Sequence, residues 1–141
     1  MREFNIRNLE EMKKIAAELA AEDIDLLLLI GDMGSGKTTF SKAYGAALGI
    51  VGVKSPTFSI VEEHPYEGGV LYHMDLYRIE DEEELLALGF EEYFERPGKV
   101  LIEWPQIGLE LIPEEALCLE ILAGQGEERR LRLGSRKDFG L

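Results

Sequence analysis

The stretch "LLLLIGDMGSGKTTF", residues 26 to 40, constrains this chain more than any other. Five consecutive aliphatic residues without polar alternation suit a short central strand covered on both faces. That strand runs straight into a turn broken by Gly31, Gly34 and Gly36, which ends on Lys37 and Thr38. The spacing is G-x-x-x-x-G-K-[ST], the phosphate-binding loop. Glycines let the backbone turn through conformations closed to other residues, so that successive N–H groups point inward at anionic oxygens. The helix that follows adds the positive end of its dipole. Lys37 can reach the β- and γ-phosphates of a nucleotide, and the Thr38 hydroxyl can ligate Mg²⁺. A buried strand before the loop and a helix-forming stretch after it supply the context that the motif requires.

The remaining segments alternate strands with helices. "EFNI" reads as a strand, and Asn8 with Glu11 three residues later resembles a capping box that opens a helix through about Ala21. Leu9, Met12, Ile15, Ala16 and Leu19 recur on that helix at the spacing of a core-facing stripe. A second helix is predicted from about Gly36 to Leu48, with Gly49 as its stop. "SPTFSIVEEHPY" reads as a loop entering a strand, "VLYHMDLYRI" as another strand, and "DEEELLAL" as a helix that Gly89 closes. "KVLIEW" is a short buried strand, and "ALCLEILAG" with "RRLRLG" forms a C-terminal hairpin. The pattern implies an α/β fold with a mostly parallel central sheet, an antiparallel C-terminal hairpin and helices on both faces, in one domain over residues 1–141.

A phosphate loop needs an acidic residue at the end of a neighbouring strand to help hold Mg²⁺. "VLIE" supplies Glu103 at such a strand end, where ligand sites in open α/β sheets lie; an ordinary surface glutamate has the same local pattern. Trp104 follows, either beside the nucleotide or in the core. In "YHMDLYR" a strand would place His73, Asp75 and Tyr77 on one face. Asp75 can orient a water or reach Mg²⁺ through one, and His73 reads as a satisfied structural histidine. Ser55 and Thr57 in "SPTF" suit either a loop that senses the γ-phosphate or a plain hydroxyl turn.

Charge narrows the function. With 28 acidic against 15 basic residues the chain carries −13, the wrong sign for gripping nucleic acid by phosphate neutralisation. The single cysteine, Cys118, lies in an apolar run and reads as structural. The longest uninterrupted aliphatic run is far short of a membrane span, and "MREFNIRNLEEM" lacks a signal-peptide core. A cytoplasmic location with no membrane partner is expected.

"GDMGSGKTTF", "SPTFSIVEE", "HMDLYRI", "LGFEEYF" and "LIEWP" stand in an order and spacing that resembles the TsaE family, over about residues 5 to 133. That family is the small bacterial ATPase of threonylcarbamoyladenosine tRNA modification. The resemblance implies a phosphate-loop NTPase fold and ATP hydrolysis that supports TsaB with TsaD, tRNA being met only through that complex. It also implies site residues. Lys37 and the backbone of Gly34, Ser35, Gly36, Thr38 and Thr39 would hold phosphates, and Thr38 with Glu103 would hold Mg²⁺. Lys37, Asp75 and Glu103 would form the catalytic set. Trp104 would lie beside the nucleotide, Asn8 near its base, and the basic pair Arg129–Arg130 of the hairpin would also belong to the site. Met33 and Ser35 replace the leucine and alanine expected in the loop, and Gln106 stands where an acidic residue is common. A small-molecule kinase and a nucleotide-dependent binding switch are the competing readings; no long basic lid segment follows "FEEYFERPGKV", which counts against the kinase.

Overall fold

The computed structural model describes residues 1–53 and 59–141, so Ser55 and Thr57 lie outside the described residues. The elements run β1 (Arg2–Ile6), α1 (Leu9–Ala21), β2 (Leu26–Ile30), α2 (Lys37–Ala47), β3 (Val61–Tyr66), β4 (Gly69–Asp75), α3 (Glu82–Ala87), β5 (Gly98–Glu103), β6 (Leu117–Ala123) and β7 (Arg129–Ser135). Single 3₁₀ turns occupy Phe90–Glu95, Pro105–Gly108 and Lys137–Phe139. All seven strands join one sheet in the order β1-β7-β6-β2-β5-β4-β3.

The sheet is more mixed than the sequence suggests. β6, β2, β5 and β4 form a parallel centre. The hairpin β6–β7, the β1–β7 pair and the β3–β4 pair are antiparallel. The aliphatic run of β2 sits between two parallel neighbours, which is why it has no polar alternation. Its side chains alternate between two cores. Leu27 and Leu29 pack with Met12, Ala16 and Leu19 of α1 and Phe40 and Tyr44 of α2. Leu28 packs on the other face with Met74, Ile102, Leu85 of α3 and Phe90. Long helices therefore cover one face, and the short α3 with 3₁₀ turns covers the other.

Local sequence signals explain the boundaries. The Asn8 side chain caps α1 by accepting from the Glu11 N–H at 3.0 Å. The return arm of the capping box is shifted by one residue, since Glu11 accepts from the Arg7 N–H at 2.6 Å rather than from Asn8. Leu9 departs from the expected core stripe: it is 42% exposed, at the first position of α1. Gly49, at φ +87°, ends the segment after α2 in a left-handed conformation, as its position predicts. β4 stops at Asp75, four residues before Ile79, where the expected strand ends, and Tyr77 lies beyond the strand at 61% exposure.

Leu28 is wholly buried in the second core. Leu28→Ala is expected to cost about 3 kcal/mol of unfolding free energy, the range for an aliphatic truncation that the surroundings cannot refill. Urea unfolding measures it, and a cost below about 1 kcal/mol would mean that this face is loosely packed.

Candidate functional site

The loop between β2 and α2 is built on glycine for two separate reasons. Gly36 precedes α2 at φ +114°, where a side chain would be strained. Gly31 is required by proximity: a Cβ there would lie 2.7 Å from the Ile121 carbonyl and 2.6 Å from Ser35 Oγ. The chain thus bends tightly against β6 and delivers Lys37 into the first turn of α2. Lys37 is 6% exposed, and its Nζ donates to the Gly31 and Asp32 carbonyls at 2.5 and 2.9 Å. Burial pulls the Lys37 ammonium below the ordinary lysine range, while the charges of Glu103, Asp32 and Asp75 oppose the shift. Ser35 Oγ is buried without a hydrogen-bond partner, an orphaned polar atom inside the bend.

The acidic residues arrive from the neighbouring strands. Asp75 ends β4 and Glu103 ends β5, and the parallel register sets the two opposite each other. The Leu76 N–H donates to the Glu103 carbonyl at 3.1 Å, so the register persists just past the strand end. Glu103 is 3% exposed. Its Oε2 accepts from His73 Nε2 at 2.6 Å and lies 3.5 Å from Ser41 Oγ. Ser41 in turn donates to the Lys37 carbonyl one turn back along α2 at 2.9 Å. His73 and Ser41 therefore hold Glu103 from behind. The sequence pattern placed His73 on the Asp75 face but gave it no partner, and Ser41 was missed; its only signal is the four-residue spacing from Lys37.

Trp104 follows Glu103 in a left-handed conformation, φ +54°, the sole non-glycine residue to do so among those described. Such backbone strain costs about 1 kcal/mol and persists only where its surroundings enforce it. Its ring lies 4.3 Å from Lys37 Nζ and 5.1 Å from the Tyr77 ring. Trp104 is therefore a wall of the cleft and not a core residue. Gly34, Gly36, Lys37, Thr38 and Thr39 line one side of this cleft of about 610 Å³, and Asp75, Glu103 and Trp104 the other. Arg129 also reaches it. Asn8 stands apart, in an adjoining hollow of about 220 Å³ that shares Gly36, Thr39 and Arg129 with the cleft. The sequence-predicted site residues thus line this cleft or the adjoining hollow, except Ser35, which is buried in the loop between Gly34 and Gly36, and Arg130, which pairs with Glu3 on the surface.

The donor set suits an anion and a hard cation together. A buried ammonium, a glycine bend opening a helix and a threonine hydroxyl line one side, and two carboxylates line the other. Among the described residues no group of three or more His, Cys, Asp or Glu converges as a metal cage. A cation here would take most of its ligands from phosphate and water, as Mg²⁺ does.

An α/β protein with a glycine loop at the head of a helix, facing strand-end carboxylates across one cleft, is the class that this fold and site define. The chain belongs to the TsaE family: the model of threonylcarbamoyl adenosine biosynthesis protein TsaE matches residues 6–131. A tRNA threonylcarbamoyladenosine biosynthesis protein TsaE from Bacillus subtilis is 46% identical over 129 residues, which cover 88% of this chain and 79% of that one. The TsaE protein of Haemophilus influenzae is 38% identical over 79% of this chain and 72% of its own. The crystal structure of Bacillus subtilis YdiB superposes with a TM-score of 0.74 at 36% identity, covering 95% of this chain and 84% of that one. The family resemblance read from the motifs is thereby borne out, and with it a place in threonylcarbamoyladenosine biosynthesis. No helix among the described residues is long and apolar enough to cross a membrane.

Burial pushes the Asp75 carboxyl above the ordinary carboxylate range; the Tyr77 N–H, donating at 2.9 Å, opposes this and Glu103 adds to it. Because the folded value is raised, ionised Asp75 costs stability at neutral pH, and the cost disappears as pH falls through the raised value toward the ordinary 3.8. Asp75→Asn is expected to raise the thermal midpoint at pH 7, with the gain fading in acid. Equal midpoints at pH 7 would contradict this picture of the cleft.

Proposed function

We propose that this chain binds ATP with Mg²⁺ in the cleft and hydrolyses it in support of a TsaB–TsaD complex that threonylcarbamoylates the adenosine beside the tRNA anticodon. The observation that carries the reading is the convergence of Lys37 with Glu103 and Asp75, from three elements, at the carboxyl ends of parallel strands. In this reading the loop amides and Lys37 bind the phosphates, and Lys37 exchanges its two carbonyl acceptors for phosphate oxygens. Thr38 and Glu103 hold the cation, which neutralises charge on the phosphates when bound. His73 and Ser41 orient Glu103 from the interior. Asp75, already inclined to hold a proton by burial, accepts a hydrogen bond from the attacking water and orients it. Trp104 and Tyr77 wall the cleft against bulk water. The net charge of −13 supports contact with tRNA through the protein complex alone.

Phosphoryl transfer asks mainly for positioning, so a cleft open on one side should turn over slowly until a partner completes it. ATP turnover measured alone and with TsaB–TsaD, alongside a screen for phosphorylated metabolites, tests the reading. Partner-stimulated phosphate release without a phosphorylated acceptor is the expected result. Abundant transfer to a metabolite would favour the kinase, and complex formation that needs nucleotide but survives loss of hydrolysis would favour the switch.

Two substitutions test the site itself. Lys37→Ala is expected to weaken nucleotide binding by about 2 kcal/mol, roughly the worth of a charge-assisted contact to phosphate. Calorimetric titration measures this, and unchanged affinity would remove the loop from the site. Glu103→Ala is expected to depress turnover more than nucleotide affinity. The reverse pattern would remove Glu103 from the cation.

A further inference from the structure

Arg129 opens β7 at the base of the C-terminal hairpin turn, and its guanidinium donates to three main-chain oxygens. Nε donates to the Ser35 carbonyl at 2.6 Å. Nη1 donates to the Gly126 and Glu128 carbonyls at 2.8 and 2.7 Å. One guanidinium therefore bridges the glycine loop to the hairpin, two elements 94 residues apart in sequence. The hairpin side is itself a closed turn, with the Gly124 N–H donating to the Glu128 carbonyl at 2.8 Å and the Glu128 N–H to the Gln125 carbonyl at 3.0 Å. It gives the arginine a fixed base.

The Ser35–Gly36 peptide is planar and trans, so its carbonyl and its N–H point in opposite directions. Holding the Ser35 carbonyl against the hairpin turns the Gly36 N–H to the other side. A cationic donor on that oxygen also polarises the peptide and makes its N–H a stronger donor. Gly36 needs such a restraint. At φ +114° it occupies a region that glycine enters freely and leaves as freely, so its own conformation does not fix the bend. Arg129 Nε lies 3.7 Å from where a Gly36 Cβ would stand, so the guanidinium is seated directly beside that turn.

We propose that Arg129 is a positioning residue: a clamp from the hairpin that sets the glycine loop before any phosphate arrives, acting on the loop and not on the nucleotide. This rests on the reading of the loop as a phosphate site. The class of ligand that depends on the clamp is accordingly any Mg²⁺-bound di- or triphosphate, whatever its base. A planar fork is needed because the acceptors lie on two sides; a lysine ammonium keeps the charge but cannot reproduce the bridge.

The test uses the full chain titrated with magnesium pyrophosphate and, separately, with magnesium ADP. Arg129→Ala is expected to lose about tenfold in affinity for both ligands alike, the scale of one charge-assisted hydrogen bond. Arg129→Lys should stay nearly as weak, whereas Arg2→Ala, whose side chain pairs with Glu22 at 2.7 Å on the surface away from the cleft, should bind as the parent does. Full recovery by Arg129→Lys would show that charge alone matters and would overturn the clamp. A loss confined to ADP would place Arg129 on the nucleoside and would also overturn it. Amide hydrogen exchange in the ligand-free chain gives an independent readout, with faster exchange expected at residues 34–37 in Arg129→Lys and in Arg129→Ala where it folds. Unchanged exchange would reject the proposal. Lys37→Ala serves as reference: intact pyrophosphate binding there would sink the phosphate reading itself, while a loss there with none at Arg129 would sink the clamp alone.

Discussion

Two opposite charges taken out of water, on Lys37 and Glu103, set the terms for everything around them. A buried ion is tolerated only when partners replace its hydration. Lys37 obtains them from the Gly31 and Asp32 carbonyls and the face of Trp104. Glu103 obtains them from His73 and Ser41. Those partners dictate the bend of the glycine loop, the polar face of β4 and the strained backbone of Trp104. Glu103 sits at a strand end and Lys37 in the first turn of α2, so the folded chain gathers both charges beside the carboxyl ends of the parallel strands.

Much of this was legible in the sequence, for physical reasons. The aliphatic run of β2 announces burial on both faces, and the G-x-x-x-x-G-K-T spacing announces the loop, because both constraints are local. Glu103 and Asp75 were readable as strand-end carboxylates once the strands were placed. What was not legible depends on pairing between distant strands. The antiparallel edges come from the way β1 adds to β7 and β3 folds back on β4, neither of which leaves a periodic mark. The bond between His73 and Glu103 spans 30 residues and follows from the register of β4 on β5.

Two features that break local rules lie in the cleft: Trp104 adopts a glycine-like conformation, and burial raises the Asp75 carboxyl. Departures of this kind are expected at sites where stability is given up for function. Membership of the TsaE family gives that site its setting in threonylcarbamoyladenosine biosynthesis. The proposed ATP chemistry gives it a task.

The most direct test is a crystal of the chain grown with Mn²⁺ and a non-hydrolysable ATP analogue, with anomalous scattering recorded at the manganese edge. The account places the manganese peak between the Thr38 hydroxyl and the Glu103 carboxylate, with the triphosphate inside the bend formed by residues 31–38. A triphosphate lying outside that bend, or a peak out of reach of either side chain, would contradict it.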